Sequence, residues 1–405
     1  MTLDKILKNK ALPSFCTSNI DVIETILFFC HVKKLPCLIE STSNQVNQHG
    51  GYTNKTPKIF VKEILNLKKK IGFNSKNFFL GGDHLGPLPW KNNKNSVAMK
   101  NSISLINDYL EQNFCKIHID TSIKCKDDKY IDSEIVLNRS NEILNNFRIK
   151  KKIKKKFLVL GTEVPLAGSG DNKKLIPTST KQIKIEVFNI KKMFKKIDLK
   201  NKFFGLVIEP GMKYGHSTIK KPNFTNFASK RKISKENNFF YEAHSTDYQP
   251  KEILKQLVKN NFKFLKVGPE LTYNYSRSLF FMENVEKKKN KLKNSNLKKT
   301  IISSMLKNKK YWNGYYTKNH KLLLNSKLDR MRYYFDTQIV KKSIRTLKKN
   351  INLLHKKDIV CFMDLSSKKE FLNFSKNKLS NFDIIKMIYI SKTLKRYFNS
   401  CGHKI

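Results

Sequence analysis

The stretch Phe78-Phe79-Leu80-Gly81-Gly82-Asp83-His84-Leu85-Gly86-Pro87 decides how the fold of this chain is interpreted. Two aromatic residues and a Leu are typical of a buried strand, and two glycines then allow the backbone to turn. Asp83 and His84 follow where this predicted strand ends. A carboxylate beside an imidazole can bind a metal ion, transfer a proton or do both. Similar polar groups recur along the chain, at the ends of other apolar segments.

Eight short apolar segments alternate with longer amphipathic ones over the first two-thirds of the chain, which is the pattern of βα units. The predicted strands are Leu12–Cys16, Pro36–Ile39, Phe78–Gly81, Lys116–Ile119, Phe157–Gly161, Phe204–Ile208, Phe239–Ala243 and Phe264–Val267. An open doubly wound sheet would carry a glycine-rich dinucleotide loop after its first strand, but Thr17-Ser18-Asn19 stands there. The sequence therefore predicts an α/β fold, a (β/α)8 TIM barrel.

A mostly helical part is predicted after the barrel. The polar stretch of residues 286–299 could be a linker or an exposed helix, and aromatic residues cluster beyond it. Helical periodicity returns in Gln338–Leu353 and Asp383–Phe398. We therefore expect a barrel of residues 1–289 and a helical C-terminal extension of residues 290–405 packed on it.

The formal net charge of +49 would suit a nucleic-acid-binding protein. The lysines are scattered, however, and very few of the 81 basic residues are Arg, the residue expected where phosphate is contacted in bidentate fashion. Abundant Asn and Ile beside the lysines indicate a coding bias. We therefore expect no nucleic-acid partner, although a positive field would attract phosphorylated sugars.

The cellular compartment is predicted from three sequence features that are absent: a C-x-x-C pair, a membrane-spanning run and a signal peptide. Seven cysteines form no C-x-x-C pair, which favours reduced thiols and no structural zinc site. No apolar run approaches the length that a membrane span needs, and the first residues lack the apolar centre of a signal peptide. We therefore expect a cytoplasmic protein without membrane insertion.

Polar residues follow most of the predicted strands, and the C-terminal ends of barrel strands share one mouth. His84, His216 and His244 follow three different strands and could supply the nitrogens of a divalent cation site with one position open for substrate. Asp83 is then the natural general acid or base. The alternative is a polar mouth held together by hydrogen bonds alone.

Further residues at the same mouth suit the binding of a sugar. Glu163, after the fifth strand, could be a fourth metal ligand or a proton carrier. The stretch Ser41–Gln48 is dense in amide and hydroxyl groups, as sugar recognition requires, although an ordinary polar loop would look similar. The candidate substrate-binding residues are Glu40, Ser43, Asn44, Gln45, Asn47, Asp120 and Asp247. This set suits polarisation of a ketose carbonyl by a metal while Asp83 moves a hydroxyl proton.

Six motifs spread along the chain point to one family. They are Leu38-Ile39-Glu40-Ser41-Thr42-Ser43-Asn44-Gln45-Val46-Asn47-Gln48, Gly81-Gly82-Asp83-His84-Leu85-Gly86-Pro87, Gly161-Thr162-Glu163-Val164-Pro165, Tyr241-Glu242-Ala243-His244-Ser245-Thr246-Asp247-Tyr248-Gln249, Leu265-Lys266-Val267-Gly268-Pro269 and Leu328-Asp329-Arg330-Met331-Arg332-Tyr333-Tyr334. These motifs resemble those of the GatZ/KbaZ family, the non-catalytic subunits of class II D-tagatose-1,6-bisphosphate aldolase, formerly called tagatose-6-phosphate kinase. The resemblance runs from about Pro13 to about Phe398.

The resemblance implies a barrel of the class II aldolase type and a supporting role. Family members support the activity and stability of a separate catalytic aldolase chain of the GatY/KbaY type, in galactitol, tagatose or N-acetylgalactosamine breakdown. The substrate expected from it is a phosphorylated ketohexose. Some relatives instead resemble free-standing, metal-dependent epimerases acting at C4 of tagatose 6-phosphate.

Residue roles also follow from the resemblance to the zinc aldolases. Asp83 corresponds to their proton-transfer residue, Glu163 to an acidic site residue, and His84, His216 and His244 to the metal histidines. The implied cofactor is therefore a divalent metal, zinc. The chain also departs from the pattern: Asn19 stands where the family usually has a His, and no glycine-rich phosphate loop follows His244. No P-loop or other nucleotide motif supports a kinase.

Overall fold

The computed structural model describes residues 3–73, 75–161, 176–200, 202–289, 294–316 and 321–405. Its strands, in chain order, are β1 Leu12–Cys16, β2 Cys37–Thr42, β3 Phe78–Leu85, β4 Lys116–Ile119, β5 Phe157–Leu160, β6 Phe204–Val207, β7 Lys213–Tyr214, β8 Ile219–Lys220, β9 Phe239–Ala243 and β10 Phe262–Val267. Eight of them form a closed parallel barrel in the order β1-β10-β9-β6-β5-β4-β3-β2, while β7 and β8 form a separate antiparallel ribbon. The predicted (β/α)8 barrel is confirmed.

Helices surround the barrel and continue beyond it. Those up to β10 are α1 Leu3–Asn9, α2 Ile20–Val32, α3 Pro57–Ile71, α4 Asn95–Glu111, α5 Ser133–Asn145, α6 Phe147–Ile153, α7 Thr180–Lys196, α8 Phe227–Glu236 and α9 Lys251–Lys259. Those after it are α10 Pro269–Lys289, α11 Leu297–Lys307, α12 Lys321–Asn325, α13 Gln338–Leu353, α14 Lys356–Val360, α15 Leu365–Ser375 and α16 Asn381–Ser400. None of the helices in the described ranges is long and apolar enough to cross a membrane.

The inside of the barrel is apolar at one end and charged at the other. At the N-terminal ends of the strands, a cluster of buried apolar residues includes Leu3, Ile6 and Leu7 of α1, so this short helix covers the bottom of the barrel. Side chains on one face of a strand recur every second residue. On three strands, the inward-facing side chain is apolar at one position and charged two residues later. The pairs are Leu38 and Glu40 on β2, Phe240 and Glu242 on β9, and Phe264 and Lys266 on β10. The polar mouth is therefore continuous with the interior of the barrel.

The C-terminal extension shares its core with the barrel. Phe398 of α16 packs against Phe15 of β1 and Phe29 of α2, with ring centroids 5.7 and 6.2 Å apart. Lys386 of α16 is 1% exposed as a side chain and pairs with Asp21 of α2 at 3.1 Å. A buried lysine needs such a partner, because an unpaired charge in the core is costly. The extension is thus fastened to the barrel by apolar and ionic contacts, and its division at residue 290 stays a prediction.

We expect the Gly86→Ala substitution to destabilise the barrel more than Gly72→Ala. A Cβ at Gly86 would lie 1.7 Å from the carbonyl oxygen of Asp120, so the backbone would have to move, at a cost of about 3 kcal/mol or more. At Gly72, where φ is +73°, an added Cβ would meet only the His31 ring within 4 Å among the described residues, so this replacement should cost about 1–2 kcal/mol. Urea unfolding measures both changes in the free energy of unfolding. Equal losses would contradict the close approach at Gly86.

Candidate metal centre

A bulge in β3 brings two neighbouring side chains to one place. Successive residues of a regular strand point to opposite faces, which would separate Asp83 from His84. The pairing of β3 with β4 shifts between Gly82 and Leu85, and His84 has φ of +46°. This left-handed conformation is uncommon for a residue with a side chain and requires support from its surroundings. The bulge therefore lets the side chains of Asp83 and His84 both reach the barrel mouth.

Three imidazoles and one carboxylate meet there. The ring centroid of His84 lies 5.0 Å from that of His118 and 4.9 Å from that of His244. The His118 and His244 centroids are 5.1 Å apart. Candidate ligand atoms of these three residues and of Asp83 all lie within 4.8 Å of one another, and all four residues are buried. We call these four residues the histidine group. Its size and composition suit one small cation.

Each imidazole of the histidine group has a carboxylate behind it. Nδ1 of His84 lies 2.7 Å from Asp120 Oδ2, and Nδ1 of His118 lies 2.9 Å from Asp83 Oδ1. Nε2 of His244 lies 2.9 Å from Glu242 Oε1. An ionised carboxylate only accepts hydrogen bonds, so the ring nitrogen facing it carries the proton. Nδ1 of His118 also lies 3.2 Å from the backbone nitrogen of His84, but its shorter contact with the ionised Asp83 decides its tautomer. The other nitrogen of each ring is then left with a lone pair, as a metal ligand requires.

The electrostatics of these pairs keep the carboxylates ionised. Burial alone would raise the pKa of Asp120, but the hydrogen bonds from His84 and Ser122 hold it well below its usual value. Against the same burial, Lys116 and the hydrogen bond from His244 lower the pKa of Glu242. Lys266 and the hydrogen bond from His118 likewise lower the pKa of Asp83.

The imidazole of His244 is kept neutral. Burial and the nearby Lys266 ammonium lower the pKa of His244 well below its usual value. Neutral imidazole is the form that binds a metal, because the protonated ring has no free lone pair.

Two nitrogens of the histidine group have no hydrogen-bond partner among the described residues. They are Nε2 of His118 and Nδ1 of His244, and both are buried. A buried polar atom without a partner is costly and calls for an explanation such as an ion. The tautomers assigned above give both atoms lone pairs, so the residues present fit a divalent metal ion.

A buried layer of charge lies below the histidine group. The ammonium of Lys116, which is fully buried, lies 2.6 Å from Glu40 Oε1 and 2.8 Å from Glu242 Oε2. Lys266 pairs in the same way with Asp83. These lysines neutralise carboxylates that would otherwise be buried without a counter-charge. Lys116 therefore fixes Glu242, and Glu242 in turn orients His244.

A pocket of about 660 Å³ opens at this mouth. His84 and Lys266 reach it from the barrel, as does Asn19, whose side chain also accepts a hydrogen bond from the N–H of Val22 at the start of α2. The extension supplies another part of its wall. Those residues are Tyr315, Arg330, Arg332, Tyr333 and Asp336. The volume is within the range of small-molecule sites.

Residues 1–402 match the profile of the family described as D-tagatose-1,6-bisphosphate aldolase subunit GatZ/KbaZ-like. The chain belongs to this family. The resemblance found in the sequence motifs is thereby confirmed over nearly the whole chain.

Individual relatives agree with this assignment. The D-tagatose-1,6-bisphosphate aldolase subunit GatZ of Escherichia coli O1:K1 / APEC is 32% identical over 353 residues, covering 84% of each chain. The subunit GatZ of Klebsiella pneumoniae subsp. pneumoniae is 32% identical over 355 residues, covering 84% of this chain and 83% of its own. A structure described as a probable tagatose 6 phosphate kinase from Sinorhizobium meliloti 1021 superposes with a TM-score of 0.85. It is 24% identical, covers 96% of this chain and 100% of its own, and shows the fold alone.

One residue predicted for the metal site, His216, lies elsewhere, and another, Glu163, is not described by the structure. Nδ1 of His216 lies 2.9 Å from Ser326 Oγ, and its ring packs near Tyr316, so among the described residues it is not part of the histidine group. Glu163 lies outside the described residues. His118 takes the third position, and the signal for it in the sequence was its place on β4, two residues before Asp120, which follows the strand.

The predicted substrate-binding residues divide into two sets. Asn44, Gln45 and Asp247 line the pocket. The other four support the site. Glu40 holds Lys116, Asp120 holds His84, Ser43 Oγ donates to the carbonyl of His84 at 2.7 Å, and Asn47 Nδ2 donates to the carbonyl of Ser43 at 2.8 Å. Substrate contact by any of the seven stays a prediction.

We expect His118→Ala to weaken zinc binding and His216→Ala to leave it unchanged. Changes behind metal ligands typically cost about 10–100-fold in affinity, so loss of a ligand should cost about 100-fold or more. Competition with a chromophoric chelator measures zinc affinity in both variants. Loss of binding in His216→Ala with retention in His118→Ala would contradict this arrangement.

Proposed function

We propose that this chain is a supporting subunit of D-tagatose-1,6-bisphosphate aldolase that works with a class II aldolase catalytic chain of the GatY/KbaY type. The proposal is supported by membership of the family and by relatives named as GatZ subunits of that enzyme. Its setting would be the cytoplasmic breakdown of galactitol, tagatose or N-acetylgalactosamine. The ligand of the barrel mouth would be a phosphorylated ketohexose.

We further propose that His84, His118 and His244 hold a zinc ion, with Asp83 beside them. The observation that carries this proposal is the carboxylate behind each imidazole, since this pairing orients metal-binding histidines in proteins. Three nitrogen ligands with one open position are typical of catalytic zinc. When bound, such an ion polarises a carbonyl oxygen and stabilises negative charge on it.

The side chains around this position would divide the remaining work. Asp83 is held as a carboxylate, so it would begin a reaction as a base, taking a hydroxyl proton. Lys266, its ion-pair partner, lines the pocket, and its ammonium can donate a hydrogen bond to a substrate oxygen. Asn44 and Gln45 present amide groups that suit sugar hydroxyls.

One observation favours a second candidate function, a metal-dependent epimerase acting on tagatose 6-phosphate. All four residues of the histidine group come from this chain. A subunit that only stabilised another chain would have little use for it. The family comparison favours the supporting subunit, so the epimerase is the competing proposal.

Assays of the purified chain, alone and with a GatY/KbaY-type aldolase, separate the two functions. We expect the chain alone not to cleave tagatose 1,6-bisphosphate, and we expect it to raise the activity and thermal stability of the partner. Asp83→Asn tests the competing function. If the chain alone converts tagatose 6-phosphate, this variant should lower the rate by about 10²–10⁴-fold, the usual contribution of a general base. Such a metal-dependent turnover would contradict a purely supporting role.

A further inference from the structure

The extension contributes a distinct wall to the pocket, which we call the extension wall: Tyr315, Arg330, Arg332, Tyr333 and Asp336. Only eight of the 81 basic residues in the chain are Arg, and two of these eight stand here, on one turn of 3₁₀ helix. In a chain that uses Lys almost everywhere, this placement indicates a need for guanidinium groups. Arg differs from Lys in presenting a planar fork of donors that matches phosphate and carboxylate oxygens.

Aromatic rings and hydrogen bonds hold both guanidinium groups in place. The guanidinium carbon of Arg330 lies 3.4 Å from the centroid of the Tyr315 ring. Arg332 donates to the carbonyl oxygens of Leu328 and Asp329 at 2.7 and 2.9 Å, and to the hydroxyl of Tyr333 at 3.0 Å. Fixed donors lose less conformational entropy when they bind an anion than mobile lysines do.

Tyr333 also connects the extension wall to the barrel. Its ring stacks on Tyr311 of the extension at 4.8 Å and meets Tyr52 of the barrel at 4.6 Å. These contacts fix the position of the wall relative to the histidine group. The two sides of the pocket are therefore parts of one built site.

The charged residues that line the pocket favour an anion. The basic ones are Lys91, Lys124, Lys266, Arg330 and Arg332, and the acidic ones are Asp247 and Asp336. Lys266 is balanced by Asp83. Asp247 accepts two backbone N–H bonds, and burial raises its pKa to about 6. The side chains that line the pocket thus include five basic and two acidic residues.

We propose that the extension wall binds the phosphate group of a phosphorylated sugar, with Arg330 and Arg332 as its main contacts. The sugar would then extend across the pocket toward the histidine group. The identity of the sugar rests on the proposed function, whereas recognition of the phosphate rests on the wall itself. This placement also accounts for the absence of a glycine-rich loop after His244, because the extension would bind the phosphate instead.

Calorimetry on the full chain tests this inference with three probes: inorganic phosphate, D-tagatose 6-phosphate and unphosphorylated D-tagatose. Arg330→Gln should weaken binding of both phosphate-containing probes by about tenfold or more, as expected for a charged bidentate contact. Arg345→Gln is the matched control. It removes the same charge from an exposed position on α13 outside the pocket, and it should change binding less than twofold.

Equal weakening of phosphate binding in Arg330→Gln and Arg345→Gln would overturn the inference, because the overall positive charge of the protein would then account for the binding. Unchanged phosphate binding in Arg330→Gln would overturn it as well. Arg330→Lys controls for misfolding, because it keeps the positive charge and removes only the two parallel donors of the guanidinium group. This variant should bind phosphate with an affinity between those of the wild type and Arg330→Gln. Zinc titration of the same samples tests the proposed function separately, because loss of phosphate binding should leave zinc affinity unchanged.

Discussion

The mouth of this barrel depends on three buried hydrogen bonds between carboxylates and imidazoles. Asp120, Asp83 and Glu242 each receive a proton-bearing ring nitrogen, and each thereby determines which nitrogen of its partner is left over. Burying three carboxylates costs several kcal/mol per ion unless counter-charges are supplied. Lys116 supplies one for Glu242 and Lys266 supplies one for Asp83, whereas Asp120 is held by hydrogen bonds from His84 and Ser122. The charged layer below the mouth and the histidines at the mouth are therefore one interdependent arrangement.

The extension completes this arrangement from the opposite side. A TIM barrel leaves the C-terminal ends of its strands open, and specificity there comes from whatever covers them. In this chain, Tyr333 and Arg332 close part of the mouth, while α16 fastens the extension to β1 and α2 through Phe398 and Lys386. The extension thus contributes both to the wall of the pocket and to the core that it shares with the barrel.

Hydrophobic periodicity was sufficient to predict the barrel, because each strand is a short buried run between amphipathic helices. It could not predict the bulge at His84, since a left-handed residue inside a strand leaves no trace in the spacing of apolar residues. The ends of β3 and the joint orientation of Asp83 and His84 were missed for that reason. His216 follows β6 in sequence, but it lies between β7 and β8, and this ribbon places its side chain against Ser326 of the extension and away from the histidine group. Tertiary contacts, which spacing does not encode, decide both cases.

The distinction between a metal site and a merely polar mouth rests on hydrogen-bond accounting. A mouth held together by hydrogen bonds alone would pair both nitrogens of each buried imidazole, because an unpaired buried polar atom costs about 1–3 kcal/mol. Here one nitrogen of each ring is paired to a carboxylate, and the remaining ones of His118 and His244 have no partner among the described residues. A cation that accepts these lone pairs would turn that cost into binding energy. Asp120, which pairs with His84 and Ser122 and with no lysine among the described residues, would then balance part of its charge.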